Sequence, residues 1–299
     1  MNDTGLALIM CNFNDSAPLT DLMDHVFSGT MLPDEIIVVD DCSTDDSVEK
    51  IKSLQKKYSG RKQIQLLKTE KRRGPCPAFI KGVKAAQSPF IASLSCNDDM
   101  LKDYTQRMKQ AIQDYPQVDA FLCNAIVERE GEEYKKIFFP RDIFLSPEDM
   151  VKIYKNNNPS FINMIGMVLR KDVILRCWEE GGKDLPACFD GMSLYQTAFD
   201  KGMVVLGDCL VCYHASFSGW GVTRGYERNK ESQKKIMAML DKYPHLKERV
   251  AQTKIWSVGT LNKASFGLWI VPKLPKWMRK RIYKKYYEQT CRFDKIKAN

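Results

Sequence analysis

The chain has 299 residues, of which 44% are hydrophobic, 10% aromatic and 28% charged, with a formal net charge of +9. That composition can fill the core of one large or two small domains, and it excludes disorder as a description of the whole chain. Seventeen glycines and 13 prolines are ordinary numbers and no internal period is visible, which excludes collagen-like, mucin-like and repeat classes.

Taken in chain order, Leu6-Ala-Leu-Ile-Met-Cys11 predicts a buried strand ended by the polar turn Asn12–Ser16. A helix is expected from Pro18 to Phe27, closed by Gly29. Glu35–Asp40 is a second strand, nearly continuous in apolar residues as in sheets covered on both faces. Ser43 with Asp46 resembles a capping box opening a helix through Tyr58. Gln63–Lys68 predicts a third strand, Pro75–Ala86 a helix, and Phe90–Ser95 a fourth strand that stops at Asn97-Asp98-Asp99. A helix to Asp114 and a strand over Val118–Val127 follow. Later, Phe189–Asp200 predicts a helix with Gly202 as its stop, leading to a strand over Val204–Tyr213. This rhythm is that of an α/β fold, a mostly parallel, doubly wound sheet with helices on both faces and right-handed crossovers. Ligands of such sheets sit beyond the carboxyl ends of the strands. Two of those ends here carry clustered aspartates.

Ten cysteines are scattered from Cys11 to Cys291, mostly inside apolar runs, where a thiol behaves as a small hydrophobe. Cys209 and Cys212 form one C-x-x-C, but residues three apart on a strand face opposite sides, so no metal work is expected of the pair. No apolar stretch approaches the ~18 residues of a spanning helix, and no signal peptide is visible at the start. A cytoplasmic protein is expected.

The charge is concentrated at the end of the chain. Residues 271–299 hold ten Lys or Arg and two acids, and so carry +8 of the +9. Trp277, Ile282 and Tyr286 recur at spacings of five and four, roughly one helical face, with Met278 and Tyr283 beside it and Lys280, Arg281, Lys284 and Lys285 on the flanks. An anionic-membrane surface helix is the most economical reading, which would make the protein peripheral on the inner membrane face. A solvated helix packed on its own domain is the alternative. The nearly neutral remainder argues against nucleic acid.

An acidic pair directly after an apolar strand serves either to accept hydrogen bonds from a base or ribose or to hold a divalent cation through oxygen. Asp40-Asp41-Cys-Ser-Thr-Asp45 fits the first use and Asn97-Asp98-Asp99 the second, while Asp45 and Asp46 also suit helix N-caps. In order along the chain, these landmarks resemble the inverting, GT-A-fold nucleotide-sugar glycosyltransferases of family two. Cys11-Asn-Phe-Asn14 is similar to that family's Pro-Thr-Tyr-Asn turn, and Ile36-Ile-Val-Val-Asp-Asp-Cys-Ser-Thr-Asp45 to its I-V-V-D-D-G-S-x-D signature. Gly74-Pro-Cys-Pro-Ala78-Phe-Ile-Lys-Gly82 follows its G-x-x-x-A-R-N-x-G helix, and Phe90–Asp99 the strand that presents its D-x-D metal motif. Three departures stand out. Phe79 and Ile80 replace an Arg and an Asn, Asn97 replaces the first metal-motif carboxylate, and Cys42 replaces a turn glycine, which suggests that the turn need not adopt a positive φ.

The resemblance implies a GT-A, Rossmann-like domain with a nucleotide-sugar half over 1–125, an acceptor and catalytic half over 126–225, and a helical basic extension over 226–299. It implies transfer of a sugar, with inversion, from a nucleotide donor (UDP above all) to a saccharide or lipid-linked acceptor, with Mn²⁺ or Mg²⁺ as cofactor. Asn12, Phe13, Asn14, Asp41 and Asp98 would bind the nucleotide, and Asp99 with His214 the metal. Asp190, opening its helix, would be the catalytic base, with Asp184 as fallback. The Gly219-Trp-Gly221 loop resembles a lid, with Trp220 stacking on a sugar and Arg224 reaching phosphate. His25 and His245 stand in ordinary helix contexts. A nucleotidyltransferase of related fold or a non-catalytic nucleotide-sugar-binding module is the alternative. Cys11–Ser16 lacks the Gly-rich basic loop of the former, and no G-x-G-x-x-G marks an oxidoreductase.

Overall fold

A computed structural model describes residues 4–156, 166–184, 189–215, 234–235, 238, 240–253 and 271–288. The first half alternates β1 (Leu6–Asn12), α1 (Ser16–Ser28), β2 (Glu35–Asp40), α2 (Ser47–Tyr58), β3 (Ile64–Lys68), α3 (Pro75–Ala85) and β4 (Phe90–Ser95). After the short β5 (Asp99–Met100) come α4 (Tyr104–Asp114), β6 (Ala120–Arg129), β7 (Glu132–Lys136), β8 (Ile143–Leu145) and α5 (Pro147–Asn156). Then follow β9 (Val168–Arg170), α6 (Lys171–Glu179), α7 (Phe189–Lys201), β10 (Met203–His214), α8 (Pro244–Ala251) and α9 (Lys276–Glu288).

The ten described strands join one sheet, ordered β3-β2-β1-β4-β9-β6-β10-β5, with β7 beside β6 and β8 beside β10. It is parallel from β3 to β4 and again between β6 and β10, and β9 inserts antiparallel to both of its neighbours. Two antiparallel steps across β9 restore direction, so β1, β2, β4, β6 and β10 all point their carboxyl ends the same way. Alternation along each strand divides the core between two layers. Leu6, Leu8 and Met10 pack toward α1, α2 and α4, and Ala7 and Ile9 toward α3, α6 and α7. The helices therefore cover both faces, as the near-continuous apolar strands require. No described helix is long and apolar enough to cross a membrane.

Local details differ from the sequence reading in two places. Cys42 adopts a positive φ, of 61°, although the absence of a glycine suggests that the turn need not. Its thiol donates to the Thr69 carbonyl at 3.1 Å, a local anchor for the left-handed conformation. Ser43 forms no capping box: its hydroxyl accepts from Asn12 Nδ2 and from the Asn14 N–H, both at 3.0 Å. The cap-like bond comes from Asp45, whose Oδ1 accepts the Ser47 N–H at 3.0 Å. Phe79 and Ile80, the departures in α3, are buried in the core and make that face of the helix apolar. Gly82 on the same helix meets β1 so closely that a Cβ would lie 2.7 Å from Ile9 Cγ2.

Candidate functional site

The register brings the carboxyl ends of the strands level, with Asn12 opposite Asp40 and Cys11 opposite Ser95. The turns after β1 and β2 are sewn together there. Asn12 Nδ2 donates to Asp40 Oδ1 at 3.0 Å, and Asn14 (φ 56°) accepts the Thr44 N–H at 2.7 Å through Oδ1. Asn12 Oδ1 is buried without a partner among the described residues. Asp41, buried, accepts from Thr69 Oγ1 at 2.8 Å and from the N–H groups of Arg73 and Gly74 at 3.0 and 2.7 Å. Its carboxylate thus holds the 69–74 loop in place. Phe13 lies beside this loop, with the Arg72 guanidinium 3.7 Å from its ring centroid. Arg72 was not foreseen, although the run Lys71-Arg72-Arg73 before Gly74 was a visible signal.

The second cluster forms where β5 meets β10. Asp99 is the antiparallel partner of Cys212, so the two side chains share one face of the sheet. His214, two residues beyond Cys212, falls on that face as well. Donor atoms of Asp99, Cys212 and His214 lie within 4.8 Å of one another. Cys212 is therefore a candidate donor, contrary to the expectation of no metal work at Cys209 and Cys212. Register shifts in β10 on both sides of Cys209 break the simple alternation, and Cys212 joins the cluster without Cys209.

His214 is held from both sides, with Nε2 2.7 Å from Asp99 Oδ2 and Nδ1 3.0 Å from Glu128 Oε2. Partial burial pulls its imidazole pKa down, but the hydrogen bonds and charges of Asp99 and Glu128 outweigh burial and leave it above the ordinary value. Asp98 is 3% exposed, and its Oδ1 has no partner among the described residues. Burial pushes its carboxyl up to about 7, against the pull of the His214 backbone N–H. Asn97 is exposed at the turn. Glu128 and His25 were both missed, and His25 Nδ1 sits 2.8 Å from Asp99 Oδ1 rather than in an ordinary helix setting.

These side chains fit a divalent cation. With Nδ1–H donated to Glu128, His214 presents Nε2 as a ligand, the outer-shell arrangement common at metal-bound histidines. The Asp99 carboxylate suits Mn²⁺ or Mg²⁺, the imidazole adds a donor that transition metals accept more readily than Mg²⁺, and Cys212, whose thiol burial and Asp99 push up to about 11, is the softest of the three. Proton and metal compete for His214 Nε2, so apparent Mn²⁺ affinity measured calorimetrically should rise between pH ~6 and ~8. In the metal-free protein the stabilising pairs of His214 are fully present below its unfolded value of 6.5 and are lost as pH rises through the higher folded value. Thermal melting of that form should therefore fall slightly over the same range in which Mn²⁺ binding strengthens.

Helix α7 enters β10 through Gly202, whose φ is +86°. Its carboxyl end is therefore at the amino edge of the sheet, and its first turn, with Asp190, points back to the carboxyl edge. The Asp190 side chain, Trp220 and Arg224 lie outside the described residues. Asp184 is exposed, and Asp200 bonds His245 at 3.1 Å on the far edge. The cavity lined by Arg176, Gln196, Asp200 and His245 belongs to that far edge too.

The family model described as Glycosyl transferase family 2 matches residues 7–177. No curated protein matches the chain. Among solved structures, S. aureus TarS 1-349 in complex with UDP superposes with a TM-score of 0.64 at 15% identity, covering 93% of this chain and 77% of that one. TarS 1-349 in complex with UDP-GlcNAc gives a TM-score of 0.62 at 15% identity, covering 91% and 76%. The mannosyltransferase PcManGT from Pyrobaculum calidifontis, in complex with GDP-Man and Mn²⁺, gives 0.59 at 15% identity, covering 94% and 84%. The fold is that of GT-A glycosyltransferases.

Proposed function

The chain belongs to glycosyl transferase family 2, and on that premise we propose that it transfers a sugar from a UDP donor to a lipid-linked or saccharide acceptor, with inversion, using a cation at Asp99. The observation that carries this is the convergence of Asp99, Cys212 and His214 at the carboxyl edge, beside the aspartate-stitched turns of β1 and β2. Structures of this fold hold UDP and UDP-GlcNAc in TarS, and GDP-Man with Mn²⁺ in PcManGT.

Asp99 and His214, with Cys212 as third donor, would hold Mn²⁺ or Mg²⁺. Bound there, the cation supplies charge neutralisation for a leaving diphosphate. Asp98, buried with an unpartnered oxygen, accepts from a donor hydroxyl such as that of ribose. Asn12, Phe13 and Asn14 form the wall for the base. Asp41 acts on the base from the position in which it anchors the 69–74 loop, and Arg72 adds a cation at the same wall. Asp190 removes the acceptor proton at the opening of α7. A single displacement by the acceptor inverts the anomeric centre. Trp220 and Arg224 would close over the sugar and its phosphates. Incubation with a panel of nucleotide sugars should show Mn²⁺-dependent hydrolysis of a UDP sugar, and no turnover of any donor would contradict the proposal.

The acceptor class is suggested by α9. Its Tyr283 is buried against Tyr134, with ring centroids 6.4 Å apart, and Arg129 stands 4.5 Å from the Tyr283 ring. Arg279 pairs with Glu130 at 3.0 Å and Lys280 with Glu132. The inner face of the helix thus centres on Tyr283 and Arg279, not on the Trp277 stripe. Trp277 remains 66% and Ile282 37% exposed. The β6–β7 hairpin that receives α9 also carries Glu128, so the helix flanks the catalytic edge. Basic and aromatic groups displayed there suit an anionic lipid surface that supplies a lipid-linked acceptor. Sedimentation with anionic but not zwitterionic vesicles is expected at low salt. It should be lost in Trp277→Ser/Ile282→Ser while donor hydrolysis persists. Equal sedimentation of the two proteins would refute this role.

A further inference from the structure

His25 has no part in the chemistry assigned above, yet its Nδ1 lies 2.8 Å from Asp99 Oδ1, across 74 positions of sequence. The other oxygen of the same carboxylate is 2.7 Å from His214 Nε2. The contact does not depend on the imidazole for its geometry. Just past the end of α1, the Thr30 N–H and Oγ1 both donate to the Lys102 carbonyl, at 3.0 and 3.2 Å. A Cβ on Gly29 would stand 3.2 Å from that same carbonyl, so the two chains run very close together. The Leu101 N–H in turn donates to the Leu210 carbonyl of β10 at 2.9 Å. The backbones carrying His25, Asp99 and His214 are therefore tied to one another by bonds that involve none of the three side chains. The neighbouring carboxylate, Asp24, takes its hydrogen bonds from Lys57 and Tyr58.

We propose that His25 is a positioning residue that holds one oxygen of Asp99 so that the other is presented to the cation, resting on the assignment of Asp99, Cys212 and His214 as the cation site. A carboxylate is loosely held about its last torsion, which is broad and roughly two-fold. An outer hydrogen bond to one oxygen fixes the plane and selects the ligand oxygen. Glu128 does the same for His214 by binding the ring nitrogen away from Asp99. The site is thus gripped from opposite sides, by α1 through His25 and by β6 through Glu128. Loss of such an outer partner typically weakens metal binding by about 10- to 100-fold. As a folding contact the pair counts for little, because the His25 side chain is 50% exposed.

The test is a Mn²⁺ titration of the full chain, followed by the electron paramagnetic resonance signal of free Mn²⁺, in wild type, His25→Ala and His25→Asn. Asparagine places an amide N–H near the position of Nδ1 and restores the bond to Asp99. The Ala variant should bind Mn²⁺ about 10- to 100-fold more weakly, the Asn variant should recover most of that loss, and thermal melting should be unchanged in both. Equal Mn²⁺ affinity in all three proteins would overturn the positioning role while leaving the cation site standing. Equal weakening in Ala and Asn would also overturn it, because it would make His25 a direct ligand. Failure of the wild type to bind Mn²⁺ would overturn the cation site and this role with it.

Discussion

Asp99→Ala should reduce donor turnover by roughly a thousandfold or more while the protein stays folded. A cation clamped on a leaving diphosphate supplies several kcal/mol of charge stabilisation, and about 4 kcal/mol corresponds to three decades of rate. Asp99 is the carboxylate of the cluster, and its oxygens face His25 on one side and His214 on the other. Removal leaves His214 still bonded to Glu128, so the end of β10 keeps one anchor. The side chain is 21% exposed and its pairs are partly solvated, so the melting temperature should change little. Steady-state kinetics with Mn²⁺ alongside a thermal melt separates the two effects. Turnover within tenfold of wild type would remove Asp99 from the metal site.

Asp190→Asn should lower turnover by about 100-fold or more with donor affinity within a few fold. Asp190 is the second residue of α7, where asparagine keeps the size of aspartate and gives up only a favourable charge at the helix N-terminus, so the turn should stay folded while the proposed proton acceptor is lost. The location of that turn follows from connectivity, because α7 runs back from the carboxyl edge and turns into β10 at Gly202. An active Asn variant would move the base elsewhere, with the exposed Asp184 the next residue to change. Product analysis by NMR should show an inverted anomeric centre, and retention would contradict a single displacement.

The strands were readable because they are apolar runs with sharp ends. Glu35–Asp40 and Phe90–Ser95 are observed with the bounds expected of them. The aspartates at those ends could be read for the same reason: a charge that closes a buried strand stands at the ligand edge. What could not be read depends on pairing across long separations. Strand β5 is two residues long and carries no periodicity, yet its antiparallel register with β10 is what sets Cys212 beside Asp99. Glu128 belongs to a strand that was expected to stop at Val127, and one extra residue of pairing puts its carboxylate on His214. His25 looked like any polar residue in the last turn of a helix, and only the docking of α1 beside β5 gives it a partner. Cys42 is a different case. A non-glycine residue there carries no sequence signal for positive φ, yet Cys42 adopts it with its thiol bonded to the Thr69 carbonyl.

The most direct measurement is calorimetric titration of UDP into the wild-type protein, once with Mn²⁺ and once with EDTA. Asp99, Cys212 and His214 have their donor atoms within 4.8 Å of one another at the strand ends, and under the proposed function a diphosphate would meet the protein there chiefly through a cation bound to them. UDP should therefore bind with Mn²⁺ present, lose that binding in EDTA, and regain it when Mn²⁺ is added in excess. Equal UDP affinity in Mn²⁺ and in EDTA would contradict a cation-held diphosphate at this site.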